Sequence, residues 1–198
     1  MIEGDITAFG AQGMLEVDAI VNSSNVDLSP EGGLDWIIHQ KAGPKLLKEC
    51  KKIGGCPTGE ARVTKGYKLP VKWIIHTAGP IVWEDLGLRE LEKNQLRSCY
   101  LSILKIAQDK DLKTIAMPAI STGAFGFPKK EAAEIAVKTI KEFVAMNPTQ
   151  LAQVYLVAYD PETAKIYEDI LGVKSAEVDS LIAEETGPLV SLKKIINW

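Results

Sequence analysis

Cysteine is scarce in this chain: Cys50, Cys56 and Cys99 are the whole complement. They show no CxxC spacing, and three thiols cannot all pair. This argues against a disulfide scaffold and for reduced thiols, so a cytoplasmic protein is expected. Histidine is scarcer still, with only His39 and His76. Basic charge is not in excess: 23 Lys and Arg against 26 Asp and Glu leave a net charge of −3, which argues against a broad positive surface for nucleic acid. No apolar run approaches the length of a bilayer, and the chain reaches Gly4-Asp5 before any signal-like stretch develops, so no membrane contact is expected. There is no GxxxxGK[ST] loop, no repeat and no low-complexity segment. What remains is ordinary: 198 residues, 46% hydrophobic and 25% charged, enough for one domain with a sizeable core. With no positive field, an anionic ligand must be held by local backbone donors.

Strand-like and helix-like patterns alternate along the chain. Val17–Asn22, Trp73–Thr77, Thr114–Met117 and Val154–Tyr159 read as short buried strands. Ile2–Ala8 and Glu60–Gly66 read as strands at sheet edges. Leu96, Cys99, Tyr100, Ile103, Leu104 and Ala107 recur at helical spacing, as do Ala132, Ile135, Ala136, Ile140, Phe143 and Val144. Leu34–Gln40 starts a helix that Gly43-Pro44 ends, and Pro44 opens the next. Pro161–Leu171 reads as a further helix. Such alternation predicts a sheet with helices on both faces, with ligands at the carboxyl ends of its strands.

The most informative stretch is Pro118-Ala-Ile-Ser-Thr-Gly-Ala-Phe-Gly-Phe-Pro128. It lies between a buried strand and a helix. Gly123 and Gly126 permit a sharp turn and close approach of a ligand, Ser121 and Thr122 add hydroxyls, and Phe125 and Phe127 offer a flat wall. Exposed N–H groups in such a turn suit a pyrophosphate. Taken alone, it also reads as a plain tight turn. Earlier in the chain stand Gly4-Asp5-Ile6-Thr7, Val17-Asp-Ala-Ile-Val-Asn-Ser-Ser-Asn25, Gly32-Gly33-Leu34-Asp35-Trp36-Ile37-Ile38-His39, Cys56-Pro57-Thr58-Gly59-Glu60-Ala61 and His76-Thr77-Ala78-Gly79-Pro80.

In this order the set resembles the macrodomain family, specifically its MacroD-like branch of ADP-ribosylhydrolases and O-acetyl-ADP-ribose deacetylases. The resemblance covers roughly residues 2 to 172. It implies a three-layer α/β/α sandwich around a mixed, mostly parallel sheet of about six strands. Residues 1–172 then form the macrodomain. Residues 173–198 form a C-terminal extension, helical over Ser175–Glu185, that is expected to pack on the domain. The implied ligands are ADP-ribose, ADP-ribosylated proteins and O-acetyl-ADP-ribose, with no cofactor and a monomeric chain.

The resemblance also assigns roles. Asp5 binds the exocyclic amine of adenine and Ile6 lines that pocket; from the residues alone, Asp5 reads as a turn or helix cap. Tyr159 stacks on adenine, or packs under the following helix. Asn25 contacts the distal ribose, while Asn22 is read as structural. Gly33 belongs to the glycine pair that opens a helix. Ser121, Thr122, Gly123, Ala124 and Phe125 face the phosphates and the distal ribose. Asp35 stands ten positions after Asn25, where the MacroD-like catalytic Asp stands after its amide. A carboxylate there orients or deprotonates a water near the anomeric carbon, with Asn25 positioning the ribose. Its plainer reading is an Asp at a helix N-terminus.

The chain departs from the family in the same loop. Ser29-Pro30-Glu31 replaces part of a longer glycine run, and bulky Trp36 stands where a small residue is usual. These departures leave open a reader module that binds ADP-ribose without turnover. A metal is not expected, because His39, His76 and Cys56 lack close ligand spacing. Cys56 has no base near it in sequence, so nucleophilic catalysis through it is weakly supported.

Overall fold

The computed structural model describes residues 2–11 and 15–172. Among the described residues six strands carry the fold: β1 (Ile2–Glu3), β2 (Ala19–Ser24), β3 (Ala61–Lys65), β4 (Trp73–Ala78), β5 (Thr114–Pro118) and β6 (Gln153–Ala158). They form one sheet in the order β1-β6-β5-β2-β4-β3. All pairings are parallel except β3 with β4. Central strands covered on both faces read as unbroken apolar runs, and Ile20, Val21, Ile74, Ile75, Ile115 and Met117 are all fully buried. The mixed, mostly parallel sheet expected from sequence is the sheet found.

Five α-helices among the described residues cover it: α1 (Gly33–Ala42), α2 (Pro44–Ile53), α3 (Glu90–Asp109), α4 (Lys129–Met146) and α5 (Pro161–Leu171). α1 packs on α2 and β2; on the other side of the sandwich α3 packs on α4, and α4 on α5. The boundaries have local causes. Gly43, at φ 82°, ends α1, and Pro44 opens α2 at a position that needs no N–H. The Asp160 carboxylate accepts from Thr163 N at 2.9 Å and caps α5.

Two expectations need correction. Only Ile2–Glu3 of the expected strand Ile2–Ala8 is extended; Ile6–Ala8 forms a 3-10 helix. Asp5 is the cause, because its carboxylate takes the Thr7 N–H at 2.8 Å and so turns the chain. The second strand runs Ala19–Ser24 rather than Val17–Asn22. Asn22 therefore lies inside the strand, beside His76 of β4, rather than at its last position. The C-terminal extension lies outside the described residues.

The chain leaves β2 toward β3 and β4, and leaves β5 toward β6 on the opposite side. β2 and β5 are neighbours, so a crevice opens between the loops that follow them. Such a switch point is where ligands bind in open α/β sheets.

Candidate functional site

The loop after β2 (25–32) and the loop after β5 (119–128) flank this crevice. Asn25 organises the first. Its Oδ1 accepts from Asp27 N and Ser29 N, both at 3.1 Å, and its Nδ2 donates to Ser29 O at 2.8 Å. α1 then begins without a side-chain cap on Gly32, so its first N–H groups are uncommitted.

The second loop differs in detail from expectation. Thr122 Oγ1 donates to Ala119 O at 2.9 Å, and Ser121 Oγ is buried without a partner. The Ser121 hydroxyl is thus enclosed, while Thr122 is only partly buried. Ser121 turns the chain, at φ 65°, and its O accepts from Phe127 N at 3.0 Å. Gly79 makes room for this, since a Cβ there would lie 2.0 Å from Ser121 Oγ. Phe127 is buried in the core; Phe125 alone of the two aromatics reaches the site, half-buried. Gly123 has no left-handed φ and open space where a Cβ would stand, whereas Gly126 turns at φ 69°. Within the described residues the N–H groups of Thr122, Gly123, Ala124 and Phe125 donate to nothing. Four adjacent free donors in a turn form an anion-binding concavity, built from backbone as the acidic composition requires.

Asp35 lies in the first turn of α1 but faces inward, 5% exposed. Its Oδ1 accepts from Asn22 Nδ2 at 2.5 Å, the Ser24 hydroxyl also bonds the carboxylate, and Oδ2 is enclosed. Burial raises the carboxyl above the usual range, against the opposing pull of the Asn22 and Ser24 hydrogen bonds. One turn on, His39 Nε2 lies 3.8 Å from Oδ1. Burial lowers the His39 imidazole, with Asp35 pulling the other way.

Sequence reasoning missed the group beneath Asp35. His76 Nδ1 lies 3.0 Å from Asn22 Nδ2, and its Nε2 lies 2.9 Å from Thr64 Oγ1. Because the amide donates, Nδ1 accepts and the ring proton sits on Nε2. Burial, with His39 close by, pushes His76 down to about 3, so the ring is neutral. The cross-strand register Asn22↔His76 and the i,i+4 spacing of Asp35 and His39 build this cluster. The spacing was visible in the sequence; the strand pairing was not. His39, His76 and Cys50, rather than Cys56, place potential metal ligands within 4.8 Å of one another. Both His76 nitrogens are already engaged, and burial pushes the Cys50 thiol up to about 12. Asn22 and Thr64 thus hold the His76 ring beneath Asp35.

Asp5, Ile6 and Tyr159 gather at the carboxyl ends of β1 and β6. Asp5 Oδ1 accepts from Thr7, and Oδ2 from Lys41 Nζ at 2.8 Å. Partial burial opposes its ionisation, but Lys41 and Thr7 together hold the carboxyl below its usual range. It is thus a cap, and a half-exposed one that can accept a further bond. Ile6 is buried. β6 stops at Ala158, and Tyr159, just past it, is 85% exposed. Tyr155, by contrast, is buried against Phe9.

These features belong to a known class. Residues 21–136 match the family described as Macro domain, and the chain belongs to that family. It is 51% identical over 165 residues to a Macro domain-containing protein of Methanosarcina mazei, covering 83% of each chain. It is 45% identical over 175 residues to the O-acetyl-ADP-ribose deacetylase of Escherichia fergusonii, covering 86% of this chain and 93% of that one. It is 45% identical over 166 residues to the ADP-ribose glycohydrolase MACROD2 of Xenopus laevis, covering 84% of this chain but only 38% of the relative. Among solved structures, the Trypanosoma brucei macrodomain in complex with ADP-ribose superposes with a TM-score of 0.76 at 35% identity, over 86% of this chain and 67% of that one.

Proposed function

We propose that this chain is an ADP-ribose-binding hydrolase that removes mono-ADP-ribose from acidic side chains of proteins, deacetylates O-acetyl-ADP-ribose, or does both. One observation carries the reading: the turn after β5, with four uncommitted N–H groups, and the start of α1, with the buried Asp35 carboxylate, follow the two neighbouring strands at the switch point of the sheet. Adenine stacks on Tyr159, with its amine on Asp5 and its face over Ile6. The pyrophosphate lies on the Thr122–Phe125 turn and the free N–H groups at Gly33. Asn25 and Phe125 flank the distal ribose. Asp35 is too enclosed to touch the substrate broadly, so it acts through a water held on its carboxylate. The raised carboxyl makes it a stronger base for that water. The water's hydroxyl goes to the ribosyl or acyl carbon, and its other proton leaves with the departing group. The names of the deacetylase and glycohydrolase relatives support the reaction class.

A reader module without turnover is the second reading. The 5% exposure of Asp35 favours it, as does Trp36, half exposed beside it. Both esters should be incubated with wild type and with Asp35→Ala. The hydrolase reading expects a rate loss on the order of 10²–10⁴ with ADP-ribose affinity largely kept. Wild type that binds ADP-ribose but turns over neither ester establishes the reader.

A further inference from the structure

Next to Phe125 lies a cavity of about 290 Å³ between the loop after β4 and the start of α3. Asn25, Val26, Ile81, Trp83, Leu91 and Phe125 supply much of its wall. Four of these are apolar side chains left open to solvent: Val26 at 48%, Ile81 at 40%, Trp83 at 57% and Leu91 at 56%. An apolar cluster of this kind, gathered around one concavity, marks a binding surface.

The wall offers no free charge. Arg89 and Glu92 both line the cavity, but they satisfy each other. Arg89 Nε donates to Glu92 Oε1 at 3.0 Å, and Arg89 N donates to Glu92 Oε2 at 3.1 Å as the cap of α3. A charged guest would lose its hydration here without gaining a partner. Thr58 and Gln95 add only neutral polar groups. The space holds on the order of ten waters, far more than an acetyl group fills.

The geometry points to an acyl pocket: the cavity takes the hydrocarbon chain of an ADP-ribose ester longer than acetyl. This inference rests on the hydrolase reading above, in which Asn25 and Phe125 hold the distal ribose. Those two residues belong to both the ribose site and the cavity, so a substituent on that ribose enters the cavity directly. Asp35-directed water then cleaves the ester, releasing ADP-ribose and a carboxylic acid of matching chain length.

The test compares acetyl, butyryl and hexanoyl esters of ADP-ribose, together with the corresponding non-hydrolysable amides. For wild type, kcat/KM should rise roughly fourfold per added methylene until the cavity is full, the gain expected from burying each CH₂. Affinity for the amides, measured by calorimetry, should rise in parallel. Leu91→Asp should bring the hexanoyl-to-acetyl ratio close to one; an Asp in the first turn of α3 suits the helix, so the variant is expected to fold. If the esters are cleaved equally, or more slowly with length, and the amides bind alike, the acyl pocket is overturned and the hydrolase stands. If no ester is cleaved but the longer amides bind tighter, the hydrolase reading fails and the pocket stands. If a Glu-linked ADP-ribosylated peptide outcompetes the hexanoyl ester, the acyl assignment is overturned in favour of a peptide groove.

Discussion

Asn22 Nδ2 lies 2.5 Å from Asp35 Oδ1 and 3.0 Å from His76 Nδ1, so a single amide nitrogen ties the carboxylate of α1 to the ring of β4. Asn22→Ala removes both contacts and leaves two buried acceptors unpaired. Unfolding in urea should show a loss of about 1–3 kcal/mol. Ester hydrolysis should fall while ADP-ribose affinity stays within a few-fold of wild type. In an Asp35→Ala background the same change should cost less stability, because one of the orphaned acceptors is already gone. Equal costs in the two backgrounds would mean that the short contact carries no energy.

The same cluster sets the response to acid. His76 is held down to about 3 when folded, against about 6.5 when the chain is unfolded. Between those values the unfolded chain takes up a proton that the folded ring refuses. Stability from this group is therefore present above about pH 6.5 and is lost as pH falls toward 3. His39 shifts in the same direction. Asp35, raised by burial, has the opposite sign: its contribution weakens as pH rises through its folded range. Unfolding free energy measured from pH 7 to pH 4 should fall, by up to ~1.4 kcal/mol per unit for each titrating histidine. His76→Gln keeps a donor and an acceptor without a titrating ring, and should flatten the slope. A variant with the wild-type slope would show that His76 is not its source.

Two tyrosines four positions apart should separate binding from folding. Tyr159 is 85% exposed, so Tyr159→Ala should change stability by no more than about 0.5 kcal/mol. It should still weaken ADP-ribose binding by about 1–3 kcal/mol through lost stacking. Tyr155 is buried against Phe9, so Tyr155→Ala should cost about 3–5 kcal/mol of stability. Unchanged affinity in Tyr159→Ala, read by calorimetry, would remove the aromatic platform.

Much of this was legible in the chain because buried parallel strands announce themselves as apolar runs and glycine and proline mark the helix ends. Gly43-Pro44 and Asp160-Pro161 placed their boundaries closely. The motif order pointed to the family before any coordinates. What the chain could not disclose depends on which strands become neighbours. The Asn22–His76–Thr64 support joins three strands, β2, β4 and β3, and pair spacing in sequence does not reveal it. The inward face of Asp35 follows from α1 packing on β2. Phe125 and Phe127 looked equivalent in sequence, and only the Ser121 turn sends one to the ligand side and the other to the core.

That turn supplies the last prediction, a contrast between two glycines. At Gly79 a methyl group would meet Ser121 Oγ at 2.0 Å and Ile120 Cγ2 at 2.9 Å. Gly79→Ala must therefore displace the Ser121 and Ile120 side chains that pack under the turn, at a cost of about 1–3 kcal/mol, the usual scale for overpacking. Binding should weaken with it, since the four free N–H groups follow directly. At Gly123 no heavy atom lies within 4 Å of the position a Cβ would take, and φ lies outside the left-handed region. Gly123→Val should then melt close to wild type. Its side chain projects into the open space beside the donors, so ADP-ribose affinity should fall at least tenfold, about 1.4 kcal/mol. Thermal unfolding and calorimetry on both variants decide the matter. If Gly123→Val binds ADP-ribose as tightly as wild type, the pyrophosphate does not lie on the Thr122–Phe125 turn. If Gly79→Ala is as stable as wild type, the turn is softer than its contacts indicate.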